Sequence, residues 1–215
     1  MIKILLVDDH DLVRLGINRL LSDVKGFEIV GEARTGEEAI EKTNSVNPDV
    51  ILMDVKMPGM GGLEATRKII EQHPKMKVLV VTVYGDEPYP SRVLQAGAIG
   101  YMTKGASVEE MIQAVNSVYS GKRYLSPEVA QQLALKHLTN EDASPFESLS
   151  ERELQVLVMI TSGQKVQDIA DQLYLSPKTV NSYRYRLFEK LEVTSDVELT
   201  HLAIKHKLIE MDVND

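Results

Sequence analysis

Residues 50–62 read VILMDVKMPGMGG, and this stretch decides the fold. Four apolar residues have the length of a short strand, and the run stops abruptly at a carboxylate, Asp54. "KMPGMGG" then carries the Pro and Gly of a loop, and "GLEATRKIIEQH" has the spacing of an amphipathic helix. A strand that is apolar on both faces belongs in a sheet covered on both sides. Outward from it the same unit recurs: "KILLV" before "DLVRLGINRLLS", "FEIVGEA" before "GEEAIEKTN", "KVLVVTV" before "SRVLQAGA", and "GYMTKG" before "VEEMIQAVNSVYSG". Parallel neighbours need long right-handed crossovers, so five strand–helix repeats predict a five-stranded, doubly wound parallel α/β sheet over residues 1–120.

Beyond this block the pattern changes. Residues 121–148 read as a linker holding one helix, "SPEVAQQLALKHL", with Ser126 as N-cap and Pro127 at its first position, followed by the polar, turn-rich "TNEDASPFES". The alternative is that this helix packs on a neighbouring domain. Residues 149–211 are helical throughout. "SERE" is a capping box and Gly163 a C-terminal stop, and Ser176 with Pro177 opens "SPKTVNSYRYRLFEKLE". Four helices in this span, the middle pair tightly joined, predict an all-α helix-turn-helix domain.

The chain has 215 residues and a formal net charge of -8. The charge does not separate by halves: residues 1–120 hold 13 Lys/Arg and 17 Asp/Glu, and residues 121–215 hold 11 and 15. Nucleic-acid binding therefore has to come from a local patch. The absence of cysteine, of a secretory pattern at the start and of a long apolar run leads us to expect a cytoplasmic protein without a membrane span. The histidines at 10, 73, 137, 201 and 206 form no HExxH pattern, so no zinc site is expected. His10 adjoins an acidic pair, where it either tunes the pair or simply neighbours a helix cap.

In an open α/β sheet, ligands bind beyond the carboxyl ends of the strands. Strand one ends in Asp8 and Asp9, strand three in Asp54, strand four in Thr82, and the fifth is followed by Lys104. Converging carboxylates repel one another, and a hard divalent cation such as Mg²⁺ is their natural occupant. An ionised Asp beside a cation and a Lys ammonium suits an acylphosphate. Each residue alone has a plainer reading, as a helix cap, a strand position or a loop charge; their joint placement favours the chemistry.

Together "LLVDDH", "VILMDVKMPGMGG", "VVTV" and "GYMTKG" resemble the receiver domain of bacterial response regulators, across essentially all of residues 1–120. The resemblance implies a flavodoxin-like fold with Asp54 as phosphoacceptor. It implies Mg²⁺ held by Asp9, Asp54 and the backbone carbonyl of Lys56, with Asp8 acting through water. It also implies Lys104 pairing with the phosphoryl group, and Thr82 with Tyr101 as a switch in which the hydroxyl moves toward the phosphoryl group and the ring turns inward. Gly105 stands where many receivers have a proline.

Near the other end, residues 179–191, "TVNSYRYRLFEKL", form a basic, aromatic stripe on an acidic protein. Residues 176–190 hold four Lys/Arg against Glu189. Val180, Tyr183, Arg184, Leu187 and Leu191 follow a 3/4 spacing toward the core, while Lys178, Asn181, Ser182, Tyr185, Arg186 and Glu189 fall mainly on the other face. A helix fits the major groove of double-stranded DNA. The longer run "LSERELQVLVMITSGQKVQDIADQLYLSPKTVNSYRYRLFEKLEV" resembles the LuxR/FixJ (NarL) output domain. That resemblance makes Asn181, Ser182 and Tyr185 base readers and Lys178, Thr179, Arg186 and Lys190 phosphate contacts. Lys165 adds a phosphate contact where many members carry a Ser/Asn helix cap.

"VYGDEPYPSRVLQAGA" and "DVELTHLAIKH" extend the resemblance to the UvrY/GacA/SirA branch of global regulators. It implies a sensor histidine kinase of the BarA/GacS type as partner, a homodimer when phosphorylated, and activation of small regulatory RNA genes whose products titrate CsrA. The expectation is a phosphorylation-activated transcription regulator rather than an enzyme. Two rivals remain. An aspartyl-phosphate phosphatase would turn over small phosphoesters, but a general acid/base is expected two residues after its nucleophile, where this chain has Lys56. An RNA-binding regulator would favour RNA over duplex DNA in competition, but the output lacks an aromatic sheet.

Overall fold

The computed structural model describes residues 1–83, 89–139, 145–206 and 208–209, which fall into two compact units. Residues 140–144, half of the segment expected to be turn-rich, and residue 211, the expected end of the second domain, lie outside the described residues. Among the described residues, no helix is long and apolar enough to cross a membrane.

The first unit alternates strands and helices: β1 (Ile2–Val7), α1 (Asp11–Ser22), β2 (Phe27–Ala33), α2 (Gly36–Val46), β3 (Val50–Met53), α3 (Gly62–Gln72), β4 (Lys77–Thr82), α4 (Tyr89–Gln95), β5 (Gly100–Thr103) and α5 (Val108–Tyr119). All strand pairs are parallel, in the order β2-β1-β3-β4-β5, with one further short strand paired at the β5 edge. The period of two divides the apolar runs between two cores. Leu5, Val7, Ile51, Met53, Val78 and Val80 face a cluster completed by Ala39, Leu63, Ile69 and Val93 of α2, α3 and α4. Ile4, Leu6, Val50, Leu52, Leu79 and Val81 face one completed by Leu21 of α1 and Met111, Ala114, Val115 and Val118 of α5. Both faces being covered is why these strands carry almost no polar residues.

A sixth strand, β6 (Tyr124–Leu125), extends the five expected ones, and α6 (Pro127–Thr139) follows it. Val129 of α6 is fully buried in the same cluster as Tyr101, with Leu125 and Leu133 packed against it. The compact unit therefore runs to Thr139, and the expected helix packs on it, as the alternative reading had it. The helix starts at Pro127 as expected, with Ser126 in the N-cap position, its carbonyl accepting from the Ala130 N–H at 2.9 Å, although its buried hydroxyl makes no hydrogen bond.

The second unit opens with a short 3-10 helix (Pro145–Ser148) and continues as α7 (Glu151–Thr161), α8 (Val166–Gln172), α9 (Pro177–Leu191) and α10 (Asp196–Lys205). Ser150 and Glu153 close the expected capping box of α7. Gly163 ends that helix region in the left-handed conformation, φ 77°. Ser176 caps α9 by accepting from the Thr179 N–H. Phe146, Leu154, Leu157, Ile169, Val180, Leu187 and Leu199 are buried. The Phe146 ring meets His206 edge-on, with ring centroids 5.8 Å apart.

Candidate functional sites: an acidic pocket and a basic helix

The chain leaves β1 for β2 on one side and returns to β3 on the other, so the strand order reverses between β1 and β3. Val7 pairs with Met53, and the Asp54 N–H donates to the Val7 carbonyl at 2.8 Å. Asp8 and Asp54 therefore leave the sheet side by side at the reversal, where an open α/β sheet forms its ligand crevice. Thr82 pairs with Thr103, and the Lys104 N–H donates to the Thr82 carbonyl at 2.7 Å. That register delivers the Lys104 side chain to the same crevice.

The five strand-end residues do converge. Lys104 Nζ lies 2.7 Å from Asp8 Oδ2 and 2.7 Å from Asp54 Oδ2. The Thr82 hydroxyl hydrogen-bonds the Asp54 carboxylate, and the Val55 N–H donates to Asp54 Oδ1 at 2.7 Å. Asp8, Asp54 and Thr82 are buried, while Asp9 is half-buried and His10 exposed. His10 donates its N–H to Asp8 Oδ1 at 2.8 Å, and its Nδ1 lies 3.0 Å from Asp9 Oδ1. Burial raises the Asp54 carboxyl above the ordinary range and the neighbouring Asp8 adds to this; the Lys104 ammonium and the Thr82 hydroxyl pull it back only in part. Burial alone would lower the Lys104 ammonium, but Asp54 and Asp8 overcome it and hold its pKa above the usual value.

The residues fit a hard cation. Asp8, Asp9, His10 and Asp54 each offer a ligand atom, all within 4.8 Å of one another. Asp9 Oδ1 is buried and accepts no hydrogen bond, and a carboxylate oxygen of that kind is suited to metal ligation. Two glycines shape the loop behind Asp54. A Cβ on Gly62 would fall 1.8 Å from the Asp54 carbonyl oxygen, and one on Gly36 would fall 2.4 Å from that of Met60. Lys56 is exposed on this loop. Tyr101, the expected switch ring, is fully buried. Gly105 has open space around it.

On the second unit, α9 splits its side chains as the spacing predicts. Lys178, Ser182, Tyr185 and Arg186 are exposed, and Thr179 and Asn181 half-exposed. Lys178, Asn181, Ser182 and Tyr185 share one face at i, i+3, i+4 and i+7. Lys165 is exposed at the start of α8, which begins at Val166 without a side-chain cap. The Thr179 hydroxyl sits 2.8 Å from that of Ser176, within the helix cap.

Lys190 is exposed like the other expected phosphate contacts and is also engaged within the domain: its ammonium lies 2.7 Å from the buried Glu153 carboxylate, which ties the end of α9 to the start of α7. Arg184 is similarly committed, with Nε and Nη2 at 2.6 and 2.5 Å from the two carboxylate oxygens of Asp196.

Both units have counterparts among known proteins. Residues 4–116 match the response regulator receiver domain, and residues 147–203 match the bacterial regulatory proteins of the luxR family. The chain belongs to the response regulators that join a receiver to a luxR-type output domain, which are phosphorylation-dependent transcription regulators. Members of this class receive phosphate from histidine kinases and bind DNA. The chain is 59% identical over 211 residues to the response regulator GacA of Pseudomonas syringae pv. syringae, covering 98% of this chain and 99% of that one. It is 58% identical over 211 residues to the response regulator UvrY of Escherichia coli, with 97% and 96% covered. Among solved structures, a LuxR-family response regulator from Aurantimonas sp. aligns at 36% identity and TM-score 0.62, over 63% of this chain and 97% of that one. The response regulator ChrA of a heme-sensing two-component system aligns at 30% identity and TM-score 0.54, over 97% and 98%.

Two outcomes follow from the electrostatics. The raised Asp54 pKa means that folding favours the protonated acid: its stabilisation is present below pH 3.8 and lost as pH rises through the folded value. Ionised Asp54 is therefore a burden at neutral pH. In the presence of a chelator, Asp54→Asn raises the thermal midpoint of the receiver at pH 7 by a few degrees, and the advantage shrinks as pH falls toward 4. For Glu153, burial raises the carboxyl but Lys190 and Ser150 outweigh it and hold the pKa below 4.5. That stability is present above pH 4.5 and lost as pH falls through the folded value. Because the Lys190 side chain is 40% exposed, Lys190→Ala is expected to cost the output domain only about 1 kcal/mol. Melts of that domain at pH 7 and pH 4 test this: the variant should differ from wild type at pH 7 and converge with it under acid.

Proposed function

We propose that Asp54 accepts a phosphoryl group from the phosphohistidine of a sensor kinase of the BarA/GacS type, and that this modification switches DNA binding by α9. The observation that carries the reading is the Lys104 ammonium held 2.7 Å from both Asp8 and Asp54, a cation placed where an incoming phosphoryl oxygen needs one. An Asp54 carboxylate oxygen attacks phosphorus; the P–O bond forms as the P–N bond breaks, and the freed imidazole takes a proton. Lys104 then holds a phosphoryl oxygen and the Thr82 hydroxyl another, while buried Tyr101 keeps the ring position compatible with that state.

Asp9, Asp54 and the Lys56 carbonyl are the proposed ligands of Mg²⁺, with Asp8 acting through water. When bound, the ion neutralises the charge on the phosphoryl oxygens.

The phosphorylated chain pairs as a homodimer on a two-fold DNA site. Asn181, Ser182 and Tyr185 read base edges while Lys165, Lys178, Thr179, Arg186 and Lys190 contact phosphates. The near-full-length similarity to response regulators named GacA and UvrY supports small regulatory RNA genes acting on CsrA as the targets.

DNA affinity measured against salt, with and without a small-molecule phosphodonor, tests the coupling. Wild type should tighten on phosphorylation and Asp54→Asn should not respond. Lys178→Ala should weaken all sequences alike and lower the salt slope by about one, whereas Asn181→Ala should reduce discrimination between sequences. An Asp54→Asn protein that binds and dimerises as phosphorylated wild type does would contradict the reading.

A further inference from the structure

Behind the acidic pocket a second charged group is buried. Arg14 is 5% exposed, on the inward stripe of α1 with Ile17 and Leu21. Its guanidinium uses all three nitrogens: Nε donates to Glu32 Oε2 at 2.7 Å, Nη1 to the Asp8 carbonyl at 2.8 Å and Nη2 to Asp11 Oδ1 at 2.5 Å. The other Glu32 oxygen accepts from Asn18 Nδ2 at 2.5 Å. Arg14 also lines one small cavity together with Asp8 and Asp54.

A guanidinium buried to this degree is costly unless every donor is matched, and an apolar residue would fill the same stripe. Two of its three contacts tie α1 to β2 and to its own first turn. The third reaches the pocket, because the Asp8 carbonyl belongs to the peptide joining Asp8 to Asp9. We infer that Arg14 is a positioning residue for the divalent cation: anchored on Glu32, it fixes the Asp8–Asp9 peptide so that both carboxylates converge with Asp54 before the ion arrives. Lysine carries the charge but not the fork, so it does not replace arginine in this role. The inference rests on the reading of Asp9 and Asp54 as Mg²⁺ ligands.

Titration calorimetry with Mg²⁺ on the full chain tests it, comparing wild type with Arg14→Lys, Arg14→Met and Glu32→Gln. Arg19→Met, on the exposed face of the same helix, is the control. Removal of outer-sphere support of this kind weakens metal binding about 10- to 100-fold. We expect loss in that range for both Arg14 variants, a smaller loss for Glu32→Gln, and none for Arg19→Met. Phosphorylation by a small-molecule donor should shift its half-saturating Mg²⁺ upward by the same factor, with the rate at saturating Mg²⁺ unchanged; a merely structural role would not produce that split. If Arg14→Met fails to fold, Arg14→Lys and Glu32→Gln decide. Folded variants with wild-type Mg²⁺ affinity overturn the role of Arg14, whereas a wild type that binds no Mg²⁺ overturns the reading of the pocket itself.

Discussion

Three carboxylates gathered at the reversal of one sheet are stable together only if something positive sits among them, and in this protein that is Lys104. Its ammonium bridges Asp8 and Asp54 at 2.7 Å each, and it reaches them because β5 pairs with β4 in a register that brings the Lys104 N–H to the Thr82 carbonyl. The pocket is thus a consequence of strand order and register. Two parallel strands on either side of the reversal deliver their terminal aspartates level with each other, and two more bring a hydroxyl and a cation. The arrangement leaves Asp54 buried and its ionised form disfavoured.

The output domain resolves the puzzle of a basic stripe on an acidic chain. Of the four cations on α9, Arg184 is taken by Asp196 and Lys190 by Glu153, so the domain's own acids consume half of the local charge. Lys178 and Arg186 are left facing outward beside Ser182 and Tyr185. The helix therefore has one face that locks α7 and α10 to it and another whose polar groups are exposed. Tyr183 and Phe188 mediate between the faces, the first under Arg186 and the second under Arg184.

Much of this was legible in the residues because the signals were local. A β-run ending in a carboxylate, a capping box, a Ser-Pro helix start and a glycine stop are each encoded within a few positions, and the strand-end set Asp8, Asp9, Asp54, Thr82 and Lys104 did converge. What escaped depends on tertiary partners. β6 is two residues long and α6 offers little apolar periodicity, so neither announced that the segment closes the sheet edge. The tie from Lys190 to Glu153 was not legible because the two residues lie 37 positions apart. Arg14 carried a signal that went unused: a charged residue on the buried stripe of an amphipathic helix asks for a matched set of acceptors, and Glu32 and the Asp8 carbonyl supply it.

The central claim is that Asp54 is the modified atom's home and that the pocket is built for it. The most direct measurement is the intact mass of wild type and Asp54→Asn after incubation with Mg²⁺ and a small-molecule phosphodonor, followed by peptide mapping of the adduct. The account predicts one phosphoryl group on wild type, located at Asp54, and none on the variant. A phosphoryl group at another residue, or equal uptake by both proteins, would contradict it.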